Sequence, residues 1–200
     1  MKSINLSGSA RAAIGKKDAG LLRKDANVPC VLYGGETEHH FYLHKLSFRD
    51  LVYTPDVYEV NLELGGQKFT SILKDVQFHP ITDQILHADF LQLFPDKPVN
   101  ISIPVRLTGN SVGVRAGGKL VQKLRKVKIK ALPKHIPEAV EVDISDLDIN
   151  QAIKIQSVIN DDVQFLDAKN VVIVTVQMTR AAKAEAAAAA NASNTGGKKK

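Results

Sequence analysis

Apolar residues recur at every second position in several short runs, which is the period of a strand with one face buried. Tyr58, Val60, Leu62 and Leu64 alternate with polar neighbours, and after Gly65 and Gly66 the chain returns through residues 68–78, predicting a β-hairpin. Ile4 and Leu6 suggest an opening strand. VPCVLYGG, residues 28–35, reads as a buried strand ending at a double-glycine turn with Tyr33 at its lip, and residues 41–43 as its return. Two short helices are expected: one after Gly15 up to Lys24, with Leu21 and Leu22 turned inward, and one over 46–53, with Leu46, Leu51 and Val52 inward.

The densest mixture of polar, aromatic and apolar residues is DVQFHPITDQILHADF, residues 75–90. Pro80 with Thr82 and Asp83 predicts a turn between neighbouring strands at 76–78 and 85–91. In the second strand Leu86, Ala88 and Phe90 share one face and His87 and Asp89 the other, so an imidazole and a carboxylate stand side by side.

LFPDKP, residues 93–98, marks a domain boundary near residue 94. Beyond it Val99, Ile101, Ile103, Val105 and Leu107 alternate, and Pro104 on the opposite face suggests an edge strand. Lys126, Lys128 and Lys130 alternate with Val127, Ile129 and Ala131, while Glu141 and Asp143 alternate with Val140, Val142 and Ile144. Antiparallel pairing of these two runs would set lysine against carboxylate. Residues 170–176 form a last apolar strand. The fold class is therefore mostly β with a few short helices (α+β): an N-terminal β-barrel over 1–94, a second β-rich domain over 95–179, and a low-complexity tail over 180–200.

Composition changes this picture little, with 44% hydrophobic and 24% charged residues as in an ordinary globular chain. Neither a signal peptide nor a membrane-length apolar run is visible, so a cytoplasmic protein with no membrane partner is expected. Cys30, the lone cysteine, reads as a small buried hydrophobe. Charge is more telling. The net +6 is unevenly spread: Lys2, Arg11, Lys16, Lys17, Arg23 and Lys24 meet only Asp18 in residues 1–24, and residues 119–134 hold seven basic residues and no acid. Basic patches of this kind suit a polyanion.

GVRAGGK, residues 113–119, has the spacing of a phosphate-binding loop, but Leu120 cannot supply the required hydroxyl and the β pattern around it is wrong, so a tight turn is expected. His79, Asp83, His87 and Asp89 match no zinc spacing, and no nucleophile with a partnered base accompanies them. Neither cofactor nor small-molecule substrate is implied. With Arg11, Lys16, Arg23 and Tyr33 nearby, His87 and Asp89 instead suit RNA: cations contact phosphates, tyrosine stacks or donates, and a carboxylate accepts from base amino groups.

GSARAAIGKKDAGLLR, NVPCVLYGG and DVQFHPITDQILHADF, in that order, resemble the N-terminal domain of bacterial large-subunit ribosomal protein twenty-five. IPVRLTGNSVGVRAGGKL and HIPEAVEVDISDLDI resemble the second domain of the longer, Ctc or general-stress type of that family. The resemblance implies a barrel that binds 5S ribosomal RNA at loop E in the central protuberance, with other large-subunit proteins and 23S RNA as further neighbours. It implies RNA-contacting roles for Arg11, Lys16, Arg23, Tyr33, His87 and Asp89. This chain departs from the family pattern at Ala19 and Gly20, where an Arg or Ser is common, and at Asn150 and Gln151, where a glycine-rich turn is common. A stress-associated protein that joins ribosomes conditionally through protein contacts, and an enzyme built on His87 and Asp89, are the alternative classes.

Overall fold

A computed structural model of the chain describes residues 2–158 and 163–179; the alanine- and lysine-rich tail expected over 180–200 lies outside them. The described chain is mostly strand with a few short helices, as expected, and its residues divide into two compact units, one running to Pro104 and taking in Lys130–Glu138, the other made of Val105–Ile129 and the described residues from Ala139 onward. No helix among the described residues is long and apolar enough to cross a membrane.

The first unit is built on a closed barrel. Its strands are β1 (Lys2–Ala10), β2 (Asn27–Tyr33), β3 (His39–His44), β4 (Tyr58–Leu64), β5 (Gln67–Phe78) and β6 (Ile85–Gln92), in the order β1-β3-β2-β6-β5-β4. Two pairings are parallel, β1 with β4 (Ile4 opposite Val60) and β2 with β6 (Leu32 opposite Phe90), and the rest antiparallel. Closure leaves no barrel edge unpaired. Alternation sends Cys30, Leu32, Phe41, Val60, Leu62, Ala88 and Phe90 into a core from which water is excluded, and Phe48 and Leu51 add to it.

The second helical segment differs from expectation. Residues Lys45–Phe48 form a 3₁₀ turn and only Arg49–Val52 (α2) are α-helical. The tighter turn rotates the inward face, so Phe48 is fully buried and Leu46 is 75% exposed. The first helix, α1 (Lys16–Lys24), also buries no residue, and Leu21 is 60% exposed. Leu22 is half-buried, so only the Leu21 half of the predicted apolar stripe is overturned, and two polar ties, from Arg11 and Arg23, fasten the helix beside it.

In β6 the expected alternation is broken once. Gln77 pairs with His87 and Phe78 with Ile85, so Leu86 is skipped as a bulge. Ile85 takes the core position assigned to Leu86, which is only half-buried.

The other strands are β7 (Val99–Thr108), β8 (Lys119–Gln122), β9 (Lys126–Ala131), β10 (Val140–Asp143), β11 (Ala152–Lys154), β12 (Gln164–Phe165) and β13 (Val172–Gln177). They form a four-stranded sheet, β10-β7-β9-β12, and a three-stranded sheet, β11-β13-β8. Val127, Ile129, Val140, Val142, Ile155, Ile173, Val174 and Val176 are buried in the second unit. Two expectations are corrected here. β7 is an interior strand, not an edge; Pro104 is tolerated because the ladder with β10 begins one residue later, at Val105, so no bond in that ladder needs the missing N–H. The acids of β10 do not oppose the lysines of β9, because β10 pairs parallel with β7 and Glu141 stands opposite Arg106.

The glycine-rich stretch forms a one-turn helix, α3 (Val112–Arg115), and a turn with Gly117 at φ +85° leading into β8. Gly113 is there for close approach: a Cβ on it would lie 2.6 Å from the Ile149 nitrogen and 2.7 Å from the Asp148 carbonyl carbon. Both obstacles are backbone and cannot swing aside. Gly113→Ala is therefore expected to lower stability by about 1–3 kcal/mol, measured by urea unfolding. Asn150 adopts φ +64°, the left-handed conformation that Asn tolerates better than most non-glycine residues.

Candidate nucleic-acid interface

Since the inward residues of β2, β6 and β5 fill the core, the alternate residues of these three adjacent strands must line one outer wall. Register sets them in rows. Asp89 of β6 stands between Val31 of β2 and Asp75 of β5, and His87 stands opposite Gln77 of β5. Tyr33 lies two residues beyond Val31. The structure thus brings Tyr33, His87 and Asp89 together.

The His87 Nδ1 and an Asp89 carboxylate oxygen are 2.6 Å apart, both side chains about 70% buried, since 26% and 31% remain exposed. A carboxylate only accepts, so Nδ1 donates and the bond fixes the ring, leaving Nε2 as the second ring nitrogen available for hydrogen bonding. The second Asp89 oxygen makes no hydrogen bond among the described residues. Asp75 is engaged at one oxygen, which accepts from the Val76 amide at 2.9 Å. Burial, then the Asp89 and Asp75 carboxylates, raise the Tyr33 pKa. The phenol is therefore kept protonated at neutral pH as a hydrogen-bond donor. Burial likewise pushes the Cys30 thiol far up and holds it inert.

The cations divide by role. Arg23 Nε donates to the carbonyl of Leu86 at 3.0 Å, so the residue left unpaired by the bulge is the one that ties α1 to β6, directly beside His87. Arg11 is not a free cation: its Nε and one terminal nitrogen reach the same Asp18 oxygen at 3.0 and 2.7 Å, and only 7% of its side chain is exposed. It braces the segment leading into α1. Lys16, at the first position of α1, is exposed and makes no ion pair among the described residues. Asp18→Asn is expected to destabilise the first unit by about 1–3 kcal/mol, because it leaves a buried guanidinium without its counter-charge; a urea melt reads this.

Asp75 and Gln77 belong to this wall and sequence reading did not single them out. They face Asp89 and His87 only because the register shifts both at Leu73/Asp75 and at Leu86, and neither shift disturbs the hydrophobic alternation enough to be seen. The remaining histidines differ: His39 Nε2 lies 3.1 Å from the Thr37 hydroxyl, and His44 Nδ1 accepts from the Leu46 amide. Among the described residues no group of three or more His, Cys, Asp or Glu is placed to hold a metal ion.

The arrangement has a rigid acceptor pair, a donor phenol and an adjacent basic helix, with no nucleophile activated by a base. It can recognise hydrogen-bonding edges beside a phosphate backbone. Comparison with known proteins agrees with a non-catalytic wall. A family model described as the Ribosomal L25p family matches residues 6–90, and one described as ribosomal protein TL5, C-terminal domain, matches residues 98–180. The large ribosomal subunit protein bL25 of Phocaeicola vulgatus is 44% identical over 196 residues, covering 94% of this chain and 99% of its own. Those of Cytophaga hutchinsonii and Porphyromonas gingivalis are each 43% identical, covering 95% and 93% of this chain and 99% and 98% of their own. Matched from end to end at this level, the chain belongs to the bL25 family.

Proposed function

We propose that this chain is a structural, non-enzymatic constituent of the large subunit of cytoplasmic ribosomes, and that its barrel binds 5S ribosomal RNA at loop E. The observation that supports RNA reading most is the His87–Asp89 bond on the outer wall of β6, with Asp75 and Tyr33 around it. A carboxylate beside a polyanion is unfavourable unless it accepts from base amino groups, so its place here favours base recognition over simple charge attraction. Tyr33 donates or stacks, Lys16 contacts phosphate, Arg23 sets the helix against the wall, and Arg11 acts through the segment it braces. Residues 1–94 carry this binding, and residues 95–179 make an accessory contact with other subunit components.

The test is a gel shift of the full chain with 5S RNA and with a loop E mutant of it, at about 0.15 M salt, where nonspecific attraction is weakened. Tight binding that is lost with the mutant RNA is expected. Equal, weak binding to both would overturn the assignment to loop E.

A further inference from the structure

We propose that the exposed face of β9 binds the phosphate backbone of RNA, a second contact independent of the barrel wall. Lys126, Lys128 and Lys130 are all exposed, while Val127 and Ile129 beneath them are fully buried, so the strand cannot roll its lysines away from solvent. Alternate residues of a strand lie about 6.6 Å apart, which makes this a regular row of charges.

Two structural roles would explain such a row, and the sheet order counts against both. Pairing with Glu141 and Asp143 fails because β7 lies between β9 and β10 and offers Arg106 to Glu141. Guarding a free edge explains little at Lys128, because β9 lies between β7 and the two-residue β12, and the Leu166 amide and Asp167 carboxylate take up the Lys128 carbonyl and amide. The nearby carboxylate of Asp167 is engaged by the backbone amide of Lys128, at 2.7 Å. Among the described residues none of the three ammonium groups makes an ion pair. Three cations without an ion pair among the described residues, on a regularly spaced strand, complement a polyphosphate, and residues 119–134 themselves include no acid to oppose one.

The experiment measures binding of the full chain to single-stranded poly(A), which lacks loop E, by fluorescence anisotropy across a salt series. Changing Lys126, Lys128 and Lys130 together to Ala is expected to make the log–log salt dependence shallower by about 2, at roughly 0.7 per lost phosphate contact. Changing all three to Arg is expected to leave the slope as in the wild type. Lys119, Lys123 and Lys169 changed to Ala remove the same charge elsewhere and are expected to alter it less. A triple Gln variant guards against a folding defect, and retained 5S RNA binding by the Ala variant reports an intact barrel. An unchanged slope in the Ala and Gln variants, or an equal loss in the Lys119, Lys123 and Lys169 variant, would overturn the proposal. Loss of loop E selectivity by the wild type would instead count against the barrel site alone.

Discussion

Asp89→Ala is expected to weaken 5S RNA binding roughly ten- to a hundredfold, the effect of losing about 1–3 kcal/mol of base recognition. The direction is what makes the measurement informative. The substitution removes a negative charge from a surface facing a polyanion, so a purely electrostatic interface would bind more tightly after it. Asp89 orients His87 through a 2.6 Å bond, which charge alone does not describe, and under the proposed function its second oxygen accepts from a base. Its side chain is about one-third exposed and leaves the core untouched, so the urea unfolding midpoint should move little. Gel shifts at fixed salt check the affinity. A tighter complex would show that the wall attracts phosphate without reading bases.

Phe90→Ala is expected to cost about 3–5 kcal/mol of stability, a large share of what a domain of this size has. Phe90 is fully buried, its ring centroid 5.7 Å from that of Phe41 and 6.4 Å from that of Phe48. It therefore links β6 to β3 and to the 3₁₀ turn at Lys45–Phe48. The cavity left behind cannot collapse, because closed-barrel strands on either side hold their spacing. Urea unfolding followed by circular dichroism would show the midpoint fall. A loss under about 1 kcal/mol would mean that the core repacks freely around position 90.

Much of this fold was legible because alternation reports burial directly. The hairpin at Tyr58–Phe78, the buried run through Cys30 and the lysine-bearing strand at 126–131 all follow from which residues avoid water. Alternation does not report which strand lies next door. Glu141 and Asp143 look like partners for Lys126 and Lys128, yet β7 separates them, a long-range choice that local pattern does not encode. Helical stripes misled for another reason: Leu21 and Leu46 sit in segments too short to bury an apolar face, fastened by Arg11, Arg23 and Phe48. The wall itself was half legible. His87 and Asp89 are two apart on one strand and had to share a face, whereas Asp75 and Gln77 join them only through irregular register.

Strand order also sets the moment at which the wall proposed to read RNA is completed during synthesis. β6 is the last barrel strand to be made; it follows β5 through a short turn and closes the ring against β2, a far earlier part of the chain, with Ala88 opposite Cys30. Until residue 92 has emerged the ring stays open on the side where RNA would be read, and its closing contacts are non-local and slow to form. A nascent chain thus presents the cations of α1 long before it presents His87 and Asp89 on a finished wall. Under the proposed function, attraction to nucleic acid comes first, and discrimination arrives in the same step that seals the core.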